Sequence, residues 1–185
     1  MKSLHLKRAI DICNQGGVIA YPTEAVFGLG CLPMNEQSVH KILKLKDRSI
    51  DKGLILVAFS IEQLQPFVDF SKVQDRQQDI NESWPGPVTW LIPAKAETPK
   101  WLTGEHETLA VRISAHPTVR DLCEKLGPIV STSANPSSEE PAKTSEQVRT
   151  YFKTEVDYVI PASISNNLSP TEIRDGTSGN IVRFS

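Results

Sequence analysis

The 185-residue chain has little cysteine, no long apolar run and no strong excess of either charge. Cys13, Cys31 and Cys123 show no close-spaced metal pattern, and three cysteines cannot all pair within one chain. A reducing compartment is the simpler expectation. No stretch nears the roughly 20 apolar residues of a membrane span. Met1-Lys2-Ser3-Leu4-His5 leads into mixed sequence rather than a signal-peptide core. The expectation is a cytoplasmic protein with no stable membrane association. Twenty basic and 22 acidic side chains give a net charge of -2, which argues against a histone-like nucleic-acid binder. The charge is uneven, however: residues 1–60 carry eight Lys/Arg against five Asp/Glu, and residues 61–185 carry twelve against seventeen. A local phosphate-binding cleft needs no more than that.

Several signatures are also missing. There is no Walker A sequence, and Gly28-Leu29-Gly30 lacks the third glycine of a dinucleotide fingerprint. His5, His40, His106 and His116 form no ligand spacing, and Ser131 and Ser133 carry no legible elbow, base and acid of a hydrolase.

What is present reads as an α/β domain. Leu4, Ala9, Ile10 and Cys13 predict an amphipathic helix over residues 3–15, stopped by Gly16-Gly17. Val18-Ile19-Ala20 then reads as a buried strand that Pro22 terminates. It delivers Thr23 and Glu24 with polar groups free for a ligand, while Gly28 and Gly30 permit tight geometry or close approach. Val39, Ile42, Leu43 and Leu45 form a helical stripe ending at Lys46-Asp47-Arg48. That tripeptide is either a favourable cationic helix end or an anion clamp.

Further strands are expected at residues 54–59 and 109–113, a short one at Ile129-Val130, and another where the stretch of residues 84–92 leaves its rigid proline turn. Trp84 and Trp90 are anchors of a core or a cleft wall. Residues 93–106 read as an exposed connection that can cover a site. Arg112, set among apolar neighbours, demands an acceptor: a structural carboxylate or a bound anion. Helices are expected after His116-Pro117 and over residues 145–153. Ser131-Thr132-Ser133-Ala134-Asn135, at a strand end, is either a turn bonded to its own backbone or a phosphate site. In the tail, Asn166-Asn167 and Ser169-Pro170-Thr171 suggest a turn beside a final strand, with Arg174 and Arg183 as weaker anion contacts.

Taken together and in order, Tyr21-Pro22-Thr23-Glu24, Gly28-Leu29-Gly30, Lys46-Asp47-Arg48, Trp84-Pro85-Gly86-Pro87-Val88-Thr89, Leu109-Ala110-Val111-Arg112, Ser131-Thr132-Ser133-Ala134-Asn135 and Pro170-Thr171-Glu172-Ile173-Arg174-Asp175 span most of the chain. With them the sequence resembles the YrdC-like threonylcarbamoyl-AMP synthase family, in its short, single-domain bacterial TsaC type. The resemblance implies an open, twisted mixed sheet with flanking helices and a concave active surface, all within one catalytic domain over residues 1–185. It implies L-threonine, bicarbonate or carbon dioxide, and ATP with Mg²⁺ as substrates. The products would be threonylcarbamoyl-AMP and pyrophosphate, handed to TsaB/TsaD/TsaE-type machinery that modifies adenosine 37 of tRNA, with direct tRNA contact left open.

Carried over residue by residue, Lys46 and Arg48 are the catalytic phosphate-holding pair. Ser131, Ser133, Asn135 and Arg183 complete the ATP set, Tyr21, Thr23 and Arg112 serve threonine or its carbamate, and Thr171 and Arg174 are lesser candidates. Gly53-Leu54 departs from the Pro-Leu of longer relatives, no histidine follows at residues 56–59, and Ser138 stands where a glycine is common. A histidine-mediated substrate contact is therefore not expected. A non-enzymatic RNA-binding or ribosome-assembly factor is the competing expectation.

Overall fold

The computed structural model describes residues 2–164 and 171–184. Asn166, Asn167, Ser169 and Pro170 therefore lie outside the described residues. The chain opens with α1 (Lys2–Asn14), reverses through Gly16 at φ 79°, and forms a hairpin from β1 (Ile19–Pro22) and β2 (Phe27–Gly30). The second hairpin strand was not expected, because its two glycines read as turn punctuation.

Next come α2 (Glu36–Leu45), capped by the Asn35 side chain, then β3 (Ile55–Ala58), α3 (Ile61–Leu64), α4 (Gln77–Ser83) and β4 (Val88–Pro93). They are followed by α5 (Lys100–Thr103), β5 (Thr108–Ile113), α6 (Pro117–Leu126) and β6 (Ile129–Ser133). A capping box at Thr144 and Gln147 starts α7 (Ser145–Phe152), and β7 (Tyr158–Val159), β8 (Glu172–Asp175) and β9 (Ile181–Arg183) complete the chain.

The described strands form one open sheet in the order β7-β1-β2-β6-β3-β5-β4-β8-β9. Pairs β1/β7, β3/β5 and β4/β8 run parallel, and the other neighbours run antiparallel, so the sheet is mixed as expected. Alternation along each strand sorts residues onto two faces. Ala20, Leu29, Val130, Leu56, Val111 and Trp90 point to the larger core, which α2 and α7 cover with Val39, Ile42, Val148 and Phe152. The opposite face carries Ile19, Tyr21, Val57 and Ile129, packed under Ala9 and Cys13 of α1 and Val119, Leu122 and Cys123 of α6. Those two helices cover one part of that face. Farther along it stand Ser131, Ser133, Ile55 and Arg112, and this uncovered part holds the cleft.

Two expectations need correction. Residues 93–106 are exposed only in part: Lys95, Ala96, Glu97, Lys100, Glu105 and His106 face solvent, but Thr98, Leu102 and Thr103 are buried, and Trp101 Nε1 donates to the Pro33 carbonyl at 3.0 Å. Thr98 Oγ1 donates to the Phe67 carbonyl at 2.6 Å, and the Leu54 N–H donates to Leu102 O at 2.8 Å. The apolar side chains of a four-residue helix find cover only against the body, so the segment is pinned there. The tail, in turn, supplies two strands rather than one. Trp84 and Trp90 resolve as core anchors, their indole N–H groups donating to Val88 O and Ser83 Oγ.

Candidate active site

Lys46-Asp47-Arg48 is first of all a helix stop. The Asp47 N–H donates to Lys44 O, the Arg48 N–H donates to Leu43 O, and Asp47 adopts φ 49°. This is a Schellman ending, with aspartate in the left-handed position that glycine usually fills. It throws the Lys46 and Arg48 side chains toward the β6 exit. Lys46 is buried, and its Nζ donates to Ser133 O at 2.6 Å and Asn135 O at 2.8 Å. Ser133 Oγ at 3.3 Å and Asn135 Oδ1 at 3.2 Å are also within reach. Burial and the neighbouring Arg48 guanidinium bring the ammonium down to about 8 from 10.5. Arg48 Nη2 donates to Gly53 O at 3.0 Å, while its Nε is buried with no partner among the described residues.

Arg112, on β5, is buried and meets Glu24 from the β1–β2 turn. Its Nη1 donates to Glu24 Oε2 at 3.2 Å, and Ser114 Oγ donates to Glu24 Oε1 at 2.6 Å. Burial alone would raise the Glu24 carboxyl, but the guanidinium and the hydroxyl outweigh it and hold the group below its ordinary range. Glu24 is therefore not free for a ligand, as its place at the strand exit suggested. Arg112 has a structural carboxylate and also a buried Nε without a partner among the described residues. Thr23 likewise spends its hydroxyl hydrogen on Val26 O at 2.6 Å, closing the turn, and keeps acceptor lone pairs.

A cavity of about 320 Å³ opens between these groups. Of the expected site residues it brings together Thr23, Arg48, Arg112, Ser131, Ser133, Thr171 and Arg183, with Glu24 as the one carboxylate in its wall among the described residues. An apolar annexe of about 310 Å³ shares Arg48, Leu54, Ile55 and Arg183 with it and adds Leu91, Ile173 and Val182. Arg183 is exposed overall, with Nη2 donating to Thr171 O at 2.7 Å, and partial desolvation of its guanidinium together with the Arg112 charge lowers its pKa. Three guanidinium groups against one committed carboxylate among the described residues give the hollow an excess of positive charge.

Four expected residues stand elsewhere. Lys46 sits behind the β6 exit rather than in the cavity wall. Asn135 is spent on its own loop, its Nδ2 donating to Pro136 O at 3.0 Å and Glu139 O at 2.6 Å. Tyr21 is fully buried, with its hydroxyl on Ser131 Oγ at 2.8 Å. Arg174 projects from the opposite face of the sheet, paired with Glu172 and 5.7 Å from the Trp90 ring centroid. Ser114 was missed altogether. It lies two residues past Arg112, so a strict two-residue period through Arg112-Ile113-Ser114 was the signal that placed it beside the arginine's acceptor.

Residues 11–185 match the family model Sua5, YciO and YrdC, described as telomere recombination. The sequence is 48% identical over 184 residues to a threonylcarbamoyl-AMP synthase of Pseudomonas fluorescens, covering 99% of this chain and 98% of that one. A crystal structure of P. abyssi Sua5 complexed with L-threonine superposes with a TM-score of 0.84 at 28% identity, over 92% of this chain and 50% of that one. E. coli YciO superposes with a TM-score of 0.83 at 25% identity, over 99% and 89%. The chain thus spans about half the length of the P. abyssi protein and nearly all of the Pseudomonas one.

Proposed function

The chain belongs to the Sua5, YciO and YrdC family, and from that premise we infer that it is an L-threonylcarbamoyladenylate synthase, a nucleotidyltransferase of tRNA modification. The observation that carries the reading is a hollow walled by Arg48, Arg112 and Arg183 on a sheet whose near-full-length relatives bear that enzyme name. The competing reading, a non-enzymatic RNA-binding or ribosome-assembly factor, has no comparable support.

In the proposed reaction, the amine of L-threonine takes up carbon dioxide or bicarbonate to give a carbamate. A carbamate oxygen attacks the α-phosphorus of ATP, the bond to the bridging oxygen breaks, and pyrophosphate departs. No side chain needs to become covalently attached, because positioning and charge stabilisation suffice for such a displacement. Arg48 and Arg183 are assigned to the phosphates. Ser133 donates a hydrogen bond to a phosphate oxygen, and Ser131 is the auxiliary donor. Arg112, with its available Nε, and Thr23, with its acceptor lone pairs, orient threonine or its carbamate. Lys46 adds positive charge from behind the β6 exit, and Asn135 shapes the loop that follows Ser133. Thr171 positions Arg183 through its carbonyl.

The donor set does not fit a metal held by the protein. Among the described residues no three His, Cys, Asp or Glu side chains gather into a ligand group, and Glu24 is committed to Arg112 and Ser114. We assign Mg²⁺ to the ATP phosphates as part of the substrate, with this chain's own contribution cationic.

No helix among the described residues is long and apolar enough to cross a membrane. We place the protein in the cytoplasm, as one catalytic domain over residues 1–185 that hands its product to TsaB/TsaD/TsaE-type transfer machinery and tRNA. Purified protein given ATP, Mg²⁺, bicarbonate and isotopically labelled threonine should form labelled threonylcarbamoyl-AMP and release pyrophosphate only when threonine is present. Folded protein that yields neither product overturns the assignment.

A further inference from the structure

Tyr21 does not reach the cavity wall, yet it is fully buried on the face that carries it. Its ring lies across the neighbouring strand. Tyr21 is paired with Gly28, and a Cβ built on Gly30 would come within 2.7 Å of Tyr21 Cε1, while one on Gly28 would come within 3.3 Å of Cζ. The Gly28-Leu29-Gly30 stretch is therefore a seat for an aromatic ring. Across that seat the phenol reaches β6, where Ser131 Oγ at 2.8 Å is its one hydrogen-bond partner among the described residues. Burial pushes the Tyr21 phenol far above its ordinary value, so it keeps its proton throughout the working pH range.

A buried O–H that donates to nothing costs roughly 1–3 kcal/mol, so the phenol donates and the serine accepts. Ser131 Oγ has no other side-chain hydrogen bond among the described residues, and Ser131 lines the cavity. A serine hydroxyl usually rotates to suit its surroundings. With one lone pair occupied from behind, this hydroxyl is left its own hydrogen to give to an acceptor in the hollow.

We propose that Tyr21 is a positioning residue that fixes Ser131 as a hydrogen-bond donor to an anionic oxygen of the substrates, a carboxylate, carbamate or phosphate oxygen, without touching that substrate itself. The proposal rests on the synthase reading for its substrates and refines it: Tyr21 leaves the ligand-contacting set, and the glycine pair acquires a reason.

The test is a double-mutant cycle with Tyr21→Phe, Ser131→Ala and the combined variant, read by threonine-dependent pyrophosphate release and by calorimetric binding of ATP and of L-threonine. Tyr21→Phe keeps the ring in its seat and removes only the hydroxyl. It should lower kcat/KM roughly five- to tenfold, the size of one hydrogen bond. Ser131→Ala should cost at least as much, and adding Tyr21→Phe to it should cost nothing further in either readout. Which substrate's KM or affinity moves identifies the anionic oxygen: L-threonine for a carboxylate or carbamate, ATP for a phosphate.

Tyr21 losses that multiply with the Ser131 loss, or a Tyr21→Phe protein indistinguishable from the parent while Ser131→Ala is impaired, overturn the proposal. So does an unimpaired Ser131→Ala. Should the parent protein release no pyrophosphate, the synthase reading fails instead, and the same cycle in ATP and L-threonine binding still decides the role of Tyr21. A purely structural role would lower the unfolding midpoint equally with and without Ser131 and leave the binding cycle flat, which also overturns it.

Discussion

The Lys46 ammonium has three hydrogens and four oxygens within reach, two of them backbone carbonyls on the far side of the cleft wall. With its pKa near 8, it is charged below that pH and neutral above it. ATP has lost its last phosphate proton by then, so the affinity for ATP should weaken as pH rises through about 8, and Lys46→Arg should abolish that step. A parent protein whose ATP affinity is flat from pH 7 to 9.5 contradicts this.

Glu24 gives a second residue-scale expectation. Glu24→Gln strands the Arg112 charge in a buried position, which typically costs on the order of 3–5 kcal/mol, and the denaturant midpoint should fall accordingly. Because this carboxyl titrates lower in the folded chain than in the unfolded one, its contribution is complete above the ordinary value of 4.5 and fades as pH drops below it. The glutamine variant should lose that part of the acid-side dependence. The sequence established that Arg112 needed an acceptor but not which one. Glu24 lies 88 residues away, and only the folded sheet brings the pair together.

At the scale of elements, the legible pieces were those with a clear period. The strands around Ile19, Leu56, Trp90 and Val111 and the helices carrying Ile42 and Leu122 stand where the pattern put them. β2 was illegible for a physical reason: Gly28 and Gly30 carry no side chain to show alternation, and the ring that justifies them comes from β1. This makes Gly30→Ala informative. Its new Cβ would sit 2.7 Å from both Tyr21 Cε1 and the Val130 carbonyl, one of which is backbone and cannot swing aside. Overpacking of this kind costs about 1–3 kcal/mol. Thermal unfolding should show the loss, and Tyr21→Phe should not relieve it, since the ring remains. The 93–106 segment misled in the opposite way: its prolines and charges look like surface, while Thr98, Trp101 and Leu102 turn inward once the sheet exists to receive them.

For the whole molecule, the ordered motifs correctly gave the family and the mixed sheet. What they could not give was the division of labour among those motifs, because Lys46 with Asn135, Arg112 with Glu24 and Tyr21 with Ser131 meet across 89, 88 and 110 residues. Folding therefore crowds Arg48, Arg112 and Arg183 around one hollow, where like charges repel with a single carboxylate among the described residues to temper them. A molecule built this way is held back by its own binding site until a counter-ion arrives. Any multivalent anion that reaches the hollow should act as mortar, raising the melting temperature in proportion to the logarithm of its concentration once the hollow is saturated. Inorganic pyrophosphate should do so well beyond an equal ionic strength of chloride, and replacing Arg48 with glutamine should blunt the difference. Buffer choice alone would then read out, before any turnover is measured, whether the three arginines converge in solution.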